Sequence, residues 1–303
     1  MSDLLDCLII GGGPAGLTAA IYLGRFRRRV LVVDKGWSRA EWITKSNNLP
    51  GFPEGIAGPV LLGNLRAQAR RYGASIEAGI VEALDRDDSG LFLAKFGASS
   101  ARAKTVILAT GVTENNPPVS HVADAVKRGF IRTCPICDGY ESMGKRVAVL
   151  GNGEHAAGEA LFLRTYTDKL SLLLMQTDAT VLSQGTLRAL QTAGINVAHV
   201  VIGSVSVADN GVTILGVEDG KEHRFDIVYT AFGTTSQTML ATGLGGRMDV
   251  SNRLFVNEHQ KTSVDGLFAA GDLVRGLNQI SVAEGEAATA ATAVHNHLPK
   301  VFA

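Results

Sequence analysis

The pattern Gly11-Gly12-Gly13-Pro14-Ala15-Gly16 constrains the fold of this chain more than any other feature of its sequence. It follows the apolar residues 6–10, which indicate a buried parallel strand, and it precedes the helix-forming residues 17–23. The first glycine permits a tight turn, the second lets backbone N–H groups approach a pyrophosphate, and the third allows helix and strand to pack closely. A second strand at residues 30–33 ends at Asp34, where a carboxylate can accept hydrogen bonds from ribose hydroxyls. The unit predicts a dinucleotide-binding fold, with a non-binding glycine turn as the alternative.

The same pattern begins again in the second half of the chain. Residues 146–150 predict a strand, Gly151-Asn152-Gly153-Glu154-His155-Ala156 a second glycine turn, and residues 170–175 another strand. From residue 234 the chain is expected to return to the first unit, with a buried strand at residues 267–270 and an Ala-rich helix over residues 279–297. The predicted fold class is α/β, with two Rossmann-like dinucleotide-binding domains. One comprises residues 1–114 plus 236–303, and the other is an insertion over residues 117–233.

The stretch Cys134-Pro135-Ile136-Cys137 stands at the start of the second unit. Two residues between the thiols suit one turn at a helix start, where the sulfurs can close a disulfide and the helix N-terminus lowers a thiol pKa. Half of a zinc site is the alternative, but zinc needs four ligands, and the only other cysteine is Cys7 in an apolar run. The stretch therefore predicts a redox pair. A redox sensor that does not turn over is a rival from another class.

Net charge and hydropathy limit the classes of molecule that this chain is expected to bind. The 29 basic and 29 acidic residues cancel, so no general field attracts nucleic acid or an anionic membrane, and a small molecule or a protein is the expected partner. The chain has no run of about 18 apolar residues, and its first six residues are too acidic and short for a signal peptide. We expect a soluble, cytoplasmic protein, where neighbouring thiols are catalytic more often than structural.

Two groups of basic residues are expected to be structural. The cluster Arg25, Arg27, Arg28 and Arg29 follows the first predicted helix, where cations complement the helix dipole and remain solvated. His295 and His297 near the end of the last helix are expected to favour its dipole in the same way.

The elements in this order resemble the low-molecular-weight thioredoxin reductases across essentially the whole chain. The matching segments are residues 11–16, 48–52, 109–111, 134–139, 151–156 and 268–272. The resemblance implies that the first domain binds FAD, that the inserted domain is of the NAD(P)H-binding type and carries the thiols, and that the protein is a homodimer. Prolines and glycines at residues 115–118 and 233–236 predict linkers that permit hinge motion between domains.

The resemblance also assigns roles to single residues. It implies that Cys137 faces the flavin, that Cys134 exchanges with a thioredoxin-like protein or a small dithiol, and that Asp138 handles the proton. No metal is expected. The residues expected to contact FAD are Gly11, Gly13, Pro14, Ala15, Gly16, Asp34, Lys35, Asn48, Thr110, Gly111, Gly271, Asp272, Gln279 and Ile280.

Three segments depart from the family pattern. Residues 277–280 retain only the glutamine of the Arg-Gln pair that usually lies over the flavin, and residues 37–42 replace a Gly-Gly-Gln loop with aromatics that either cover a cofactor or pack. The His-Arg-Arg run of the NADPH unit aligns with Leu174-Met175-Gln176, and no Lys or Arg occurs over residues 170–187. The basic side chains that usually bind a 2′-phosphate are therefore missing. NADPH is therefore expected to be a poor donor. Relatives with other electron partners receive electrons from ferredoxin, or pass them from a dithiol to oxygen.

Overall fold

The computed structural model describes residues 4–115, 122–175, 182–208, 211–216 and 222–300. The chain divides into two compact units. Unit 1 comprises Met1–Lys45, Leu49–Thr113 and Thr235–Ala303, and unit 2 comprises Ser46–Asn48 and Glu114–Thr234. The first predicted linker falls mostly on residues 116–118, which lie outside the described residues. Across the described ranges, no helix combines the length and the apolar character needed to cross a membrane.

The helices and strands alternate along most of the chain. In chain order they are β1 (Leu5–Ile10), α1 (Pro14–Arg25), β2 (Val30–Asp34), α2 (Gly58–Arg71), β3 (Ser75–Ala78), β4 (Ala83–Arg86), β5 (Phe92–Phe96), β6 (Ser99–Leu108), β7 (Val112–Glu114), α3 (Val122–Lys127), β8 (Ile131–Arg132), α4 (Pro135–Asp138), β9 (Val147–Gly151), α5 (Gly153–Leu163), β10 (Leu170–Met175), α6 (Gln184–Thr192), β11 (Asn196–Ala208), β12 (Gly211–Gly216), β13 (Glu222–Phe225), β14 (Ile227–Ala231), β15 (Thr234–Ser236), α7 (Met239–Gly243), β16 (Leu267–Ala269) and α8 (Ile280–His297). Short 3₁₀ helices occur at Arg39–Trp42 and Tyr140–Ser142.

The sheet of unit 1 is built around β1, whose side chains are almost all buried. Strands β3, β2, β1 and β6 lie side by side in parallel, β16 pairs in parallel with β6, and the β4–β5 hairpin extends the sheet antiparallel. Helices α1 and α8 cover one face with a cluster that includes Ile9, Val32 and Ala287. The register pairs Ile10 with both Val33 and Leu108, so three strands end at one edge, where ligands bind in open parallel sheets.

The sheet of unit 2 repeats this plan in the strand order β13-β12-β11-β10-β9-β14-β8. Strands β11, β10, β9, β14 and β8 are parallel, and β12 and β13 add an antiparallel edge. Helix α5 packs on one face through Ala156, Ala157 and Ala160. The register pairs Tyr229 of β14 with Arg132 of β8, which brings two residues from distant parts of the sequence together.

The predicted α/β class with two Rossmann-like units is confirmed, but the sequence reasoning does not predict every element. Strand β3 is an edge strand with mostly exposed side chains, so it lacks an apolar run. Helix α6 is mostly exposed and buries only Leu190. The sequences Asp209-Asn210-Gly211 and Asp219-Gly220 also predict hairpin corners, but residues 209–210 and 219–220 lie outside the described residues.

The expectation that the arginines after α1 remain solvated is wrong for Arg28, which is only 6% exposed. Its guanidinium donates hydrogen bonds to Nδ1 of His295 at 3.1 Å and to the carbonyl oxygens of His295 and Pro299. Burial and the neighbouring Arg28 lower the pKa of His295. The interpretation of His295 as a cation that favours the helix dipole is therefore also wrong, because its ring accepts a hydrogen bond from a cation.

Candidate active site

The first glycine turn brings α1 unusually close to the strand that precedes it. Gly11 has φ +117°, a backbone conformation that favours glycine, and its N–H donates to the carbonyl oxygen of Val33 at 2.9 Å. A Cβ at Gly16 would lie 1.9 Å from the carbonyl oxygen of Gly11. Both positions therefore require glycine, and the backbone at the start of α1 is open to a ligand.

Two helix N-termini meet in unit 1. The residues at the N-caps of α1 and α8, Gly13 and Gln279, supply no side-chain cap to the first turn. A Cβ at Gly271 would lie 3.0 Å from Cβ of Ala15 in α1 and 3.6 Å from Cβ of Ala283 in α8. Backbone N–H groups and the positive ends of two helix dipoles thus converge around Gly271, an arrangement that stabilises an anion.

Charged side chains flank these helix starts. Asp34 is 8% exposed at the end of β2, where its carboxylate accepts a hydrogen bond from the Gly36 N–H at 2.9 Å and lies 3.4 Å from the Arg66 guanidinium. Asp272 pairs with Arg39 at 3.2 Å. These side chains place carboxylates and guanidinium groups beside one glycine-lined backbone.

The residues of this region fit the FAD that the sequence leads us to expect. The uncapped helix starts suit a diphosphate, and the carboxylate of Asp34 suits ribose hydroxyls. Ser38, which precedes Arg39, has its Oγ 3.2 Å from the position of a Cβ on Gly13. The segment that replaces the family's Gly-Gly-Gln loop therefore lies against the glycine turn, within unit 1.

The other predicted FAD contacts are placed as follows. Thr110 donates from Oγ1 to the carbonyl oxygen of Gln237 at 2.6 Å, and Gly111 has φ +66°. Lys35 is exposed directly after Asp34. Asn48 belongs to unit 2, where its side-chain amide donates to the carbonyl oxygen of Ile136 at 3.3 Å. The structure therefore groups Asn48 with the cysteine stretch and the remaining predicted contacts with unit 1.

The aromatic residues of the replaced loop are exposed. Trp37 is 77% and Trp42 is 51% exposed. Neither indole is therefore part of the buried core.

The two cysteines of unit 2 form a disulfide at the start of α4, with their Cα atoms 5.3 Å apart. Cys134 is the N-cap residue, and its sulfur accepts a hydrogen bond from the Cys137 N–H at 3.2 Å. Both side chains are partly exposed. The third cysteine, Cys7, is completely buried in β1, and burial raises the pKa of its thiol to about 12. Reversible thiol chemistry is thus confined to Cys134 and Cys137.

Asp138, the last residue of α4, is held by two side chains from neighbouring strands. Its Oδ1 accepts a hydrogen bond from the Tyr229 hydroxyl at 2.8 Å, and its Oδ2 lies 3.6 Å from Nε of Arg132. Burial raises the pKa of the Asp138 carboxyl, although Arg132 and the Tyr229 hydrogen bond act in the opposite direction. A carboxyl with a raised pKa beside a redox disulfide is suited to donate and accept protons.

The second glycine turn, in unit 2, has the close backbone contacts of the first turn, but an acidic residue, Glu154, follows its glycines. A Cβ at Gly151 would lie 2.5 Å from the carbonyl oxygen of Ala231, and Gly153 has φ +58°. Glu154, in the first turn of α5, accepts hydrogen bonds from the Ser183 N–H at 2.6 Å and the Thr186 hydroxyl at 2.5 Å. The hydrogen bond from Thr186 is the main cause of the lowered pKa of Glu154. A carboxylate therefore bridges the starts of α5 and α6.

Strand β10, which lies between α5 and α6 in the sequence, ends in apolar residues. Leu174 and Met175 of β10 are both buried, and Gln176 lies outside the described residues. Strand β10, over Leu170–Met175, therefore presents no basic side chain.

Sequence reasoning overlooked several residues of these sites. Arg39 contacts Asp272, and Arg66 contacts Asp34, the two carboxylates of the candidate FAD site. Glu286 accepts a hydrogen bond from the Gly271 N–H at 2.7 Å, and Arg132 and Tyr229 contact Asp138. Arg39, Arg66 and Tyr229 are distant in sequence from the carboxylates they contact, and Arg132, six positions before Asp138, belongs to no motif that the sequence reasoning used.

Comparison with known proteins places the chain among flavin-linked disulfide reductases. Residues 5–287 match the family described as pyridine nucleotide-disulphide oxidoreductase. An NADPH-dependent thioredoxin reductase 3 from Arabidopsis thaliana is 30% identical over 97% of this chain, which spans 58% of that relative's length. The crystal structure of a Streptococcus pyogenes thioredoxin reductase superposes with a TM-score of 0.88 at 26% identity, covering 98% of this chain and 99% of its own. The atypical thioredoxin reductase TRi from Desulfovibrio vulgaris Hildenborough is 34% identical, with a TM-score of 0.55 and 97% of both chains covered.

Proposed function

The chain belongs to the pyridine nucleotide-disulphide oxidoreductase family, and on this premise we propose that it is an FAD-dependent dithiol–disulfide oxidoreductase of the thioredoxin reductase type. Unit 1 binds FAD, and the Cys134–Cys137 pair of unit 2 exchanges electrons with the flavin and with an external thiol or disulfide. The observation that carries the proposal is the Cys134–Cys137 disulfide with Asp138 directly behind it, in a chain whose other unit offers a glycine-lined dinucleotide site.

The thiol chemistry divides between the two cysteines. Bound FAD supplies a carrier that gives or takes two electrons. In the reducing direction, the Cys134 thiolate attacks a substrate disulfide, one substrate sulfur leaves with a proton, and Cys137 then attacks Cys134 to release the second substrate thiol. The substrate gains two electrons and two protons, and the pair is left as the disulfide. Asp138 supplies or removes the proton at this step, and the oxidising direction runs in reverse.

The features of unit 2 favour an electron partner other than NADPH. A 2′-phosphate is normally met by arginine, and β10 ends in the buried Met175 while Glu154 adds a negative charge at the glycine turn. The lost contacts correspond to about 2–5 kcal/mol, or roughly 30- to several-thousand-fold in affinity. Electrons enter instead from a reduced protein such as a ferredoxin, or pass outward from a dithiol to oxygen.

The test is anaerobic mixing of the FAD-loaded protein with NADPH, NADH, reduced ferredoxin and a reduced dithiol in parallel, while the flavin absorption band is followed. We expect the ferredoxin or the dithiol to bleach the flavin at low concentration, and NADPH to do so only slowly. Rapid bleaching of the flavin by micromolar NADPH would show that the protein is an ordinary NADPH-dependent reductase. A colourless protein that gains no flavin absorbance with added FAD would refute the whole proposal.

A further inference from the structure

We propose that Arg132 and Tyr229 are positioning residues that together hold the Asp138 carboxyl in one orientation and keep it able to ionise beside the Cys134–Cys137 pair. The inference rests on the proposed function, because it concerns the group assigned to proton transfer. It adds residues that the motif itself does not contain, since Arg132 precedes the motif and Tyr229 lies on another strand.

Strand register creates the cluster. Parallel pairing of β8 with β14 places Arg132 directly beside Tyr229, although 97 positions separate them in sequence. Short helix α4 then turns the chain back, so that Asp138 reaches both side chains. The structure thus gathers a cation, a phenol and a carboxyl at the end of the helix that carries the disulfide, all within unit 2.

The contacts fix both ends of Asp138. The Tyr229 hydroxyl is 2.8 Å from Oδ1 and 3.1 Å from the backbone carbonyl oxygen of Asp138. The guanidinium of Arg132 donates to the same carbonyl oxygen at 2.9 Å and approaches Oδ2 at 3.6 Å. A second donation, from Arg132 to the Tyr229 hydroxyl at 3.4 Å, closes the network. The carboxyl therefore has little rotational freedom.

Burial strengthens the contacts of Arg132 and Tyr229 with Asp138, an arrangement that we call the clamp. The Tyr229 side chain is completely buried, and that of Arg132 is 15% exposed, so water competes weakly for their contacts with Asp138. Burial raises the pKa of the Asp138 carboxyl, because it disfavours the charged form. A cation and a hydroxyl donor both favour its charged form, so together they return the carboxyl towards a pH where it can both give and take a proton.

The other groups facing Asp138 do not perform this task. Glu141 of the following 3₁₀ helix raises the pKa of Asp138, as a second negative charge must. On the side of α5, the Tyr166 ring packs against Gly139, where a Cβ would lie 2.7 Å from it. Cys137 directly precedes Asp138, and a thiolate charge on the cysteine pair appears only after the disulfide is reduced.

The test is a direct titration of Asp138 in the FAD-loaded protein. Carbon-13 labelling of aspartate carboxyls and NMR follow the resonance that disappears in Asp138→Asn. We expect Tyr229→Phe and Arg132→Met each to raise the midpoint of the Asp138 titration by about 1 unit or more, and Arg132→Lys to fall between wild type and Arg132→Met. The pH dependence of the reaction of the reduced thiols with a small disulfide should move upward by the same amount.

Matched variants separate the possible results. Tyr166→Phe removes a hydroxyl from the ring beside Gly139 and should leave the titration of Asp138 unchanged. Tyr229→Phe preserves the buried volume, and Arg132→Lys retains the charge, so at least one informative variant should fold. If Asp138 titrates at the wild-type midpoint in folded Tyr229→Phe and Arg132→Lys proteins, the clamp is refuted. A shifted titration with an unshifted thiol reaction supports the clamp and instead refutes proton transfer by Asp138.

Discussion

Replacing Gly16 with alanine tests whether the close approach of α1 to β1 builds the cofactor site. In an ordinary helix this change favours folding by about 0.5–1 kcal/mol, because glycine loses more backbone entropy. Here the new Cβ would lie 1.9 Å from the Gly11 carbonyl oxygen and 3.3 Å from Cβ of Ala109. Relief of that clash requires the start of α1 to move away by about 1 Å, and overpacking of this kind costs about 1–3 kcal/mol. The net expectation is a loss of about 1–2 kcal/mol.

Gly63→Ala is the matched control. Gly63 is exposed on α2 of the same unit, and nothing lies within 4 Å of its Cβ position. Thermal unfolding should show Gly63→Ala at or above the wild-type midpoint and Gly16→Ala lower by about 2–6 °C. The second assay is FAD retained after dialysis, which Gly16→Ala should lose because the N–H groups at the helix start are displaced. If both variants melt and retain FAD alike, the account of the glycine turn is wrong.

Three further predictions concern the cofactor, the thiols and the assembly. Arg39→Met should weaken FAD binding by about 10-fold or more, because it removes a cation beside the helix starts. The control Arg102→Met removes an exposed ion pair and should leave FAD binding unchanged. Equal affinities of the two variants in a flavin-fluorescence titration of the apoprotein would contradict this prediction. Reduced Cys134→Ser protein should keep a long-wavelength thiolate–flavin absorbance and Cys137→Ser should lose it, and the opposite pattern would exchange their assigned roles. Sedimentation should reveal a homodimer, an expectation contradicted by a species near 31.9 kDa alone at micromolar concentration.

The parts of the sites that could be predicted are those whose geometry is local. Gly11 has a positive φ, and Gly16 lies against the Gly11 carbonyl, so a six-residue pattern carries the whole requirement. The cysteine spacing is equally local, because one turn of helix brings Cys134 and Cys137 within disulfide distance. Such features depend on residues that are adjacent in sequence, so they can be predicted without knowing how the strands pair.

The parts that could not be predicted depend on the register of distant strands. Arg132 and Tyr229 meet because β8 pairs with β14, and Arg39 meets Asp272 across 233 positions of sequence. The burial of Arg28 depends on the end of α8, 267 positions away, so a solvated arginine was the reasonable but wrong expectation. Charged residues at such positions have the same local sequence whether they face water or a partner.

The central claim is that electrons pass between FAD and the Cys134–Cys137 pair, and anaerobic single-turnover reduction by a dithiol tests it most directly. The wild-type protein and Cys7→Ala, which removes only the buried thiol, should show rapid loss of the flavin absorption band. Cys137→Ser, loaded with the same amount of FAD, should show none on that timescale. Bleaching of Cys137→Ser at the wild-type rate would mean that the flavin receives electrons without the cysteine pair, which would contradict the account.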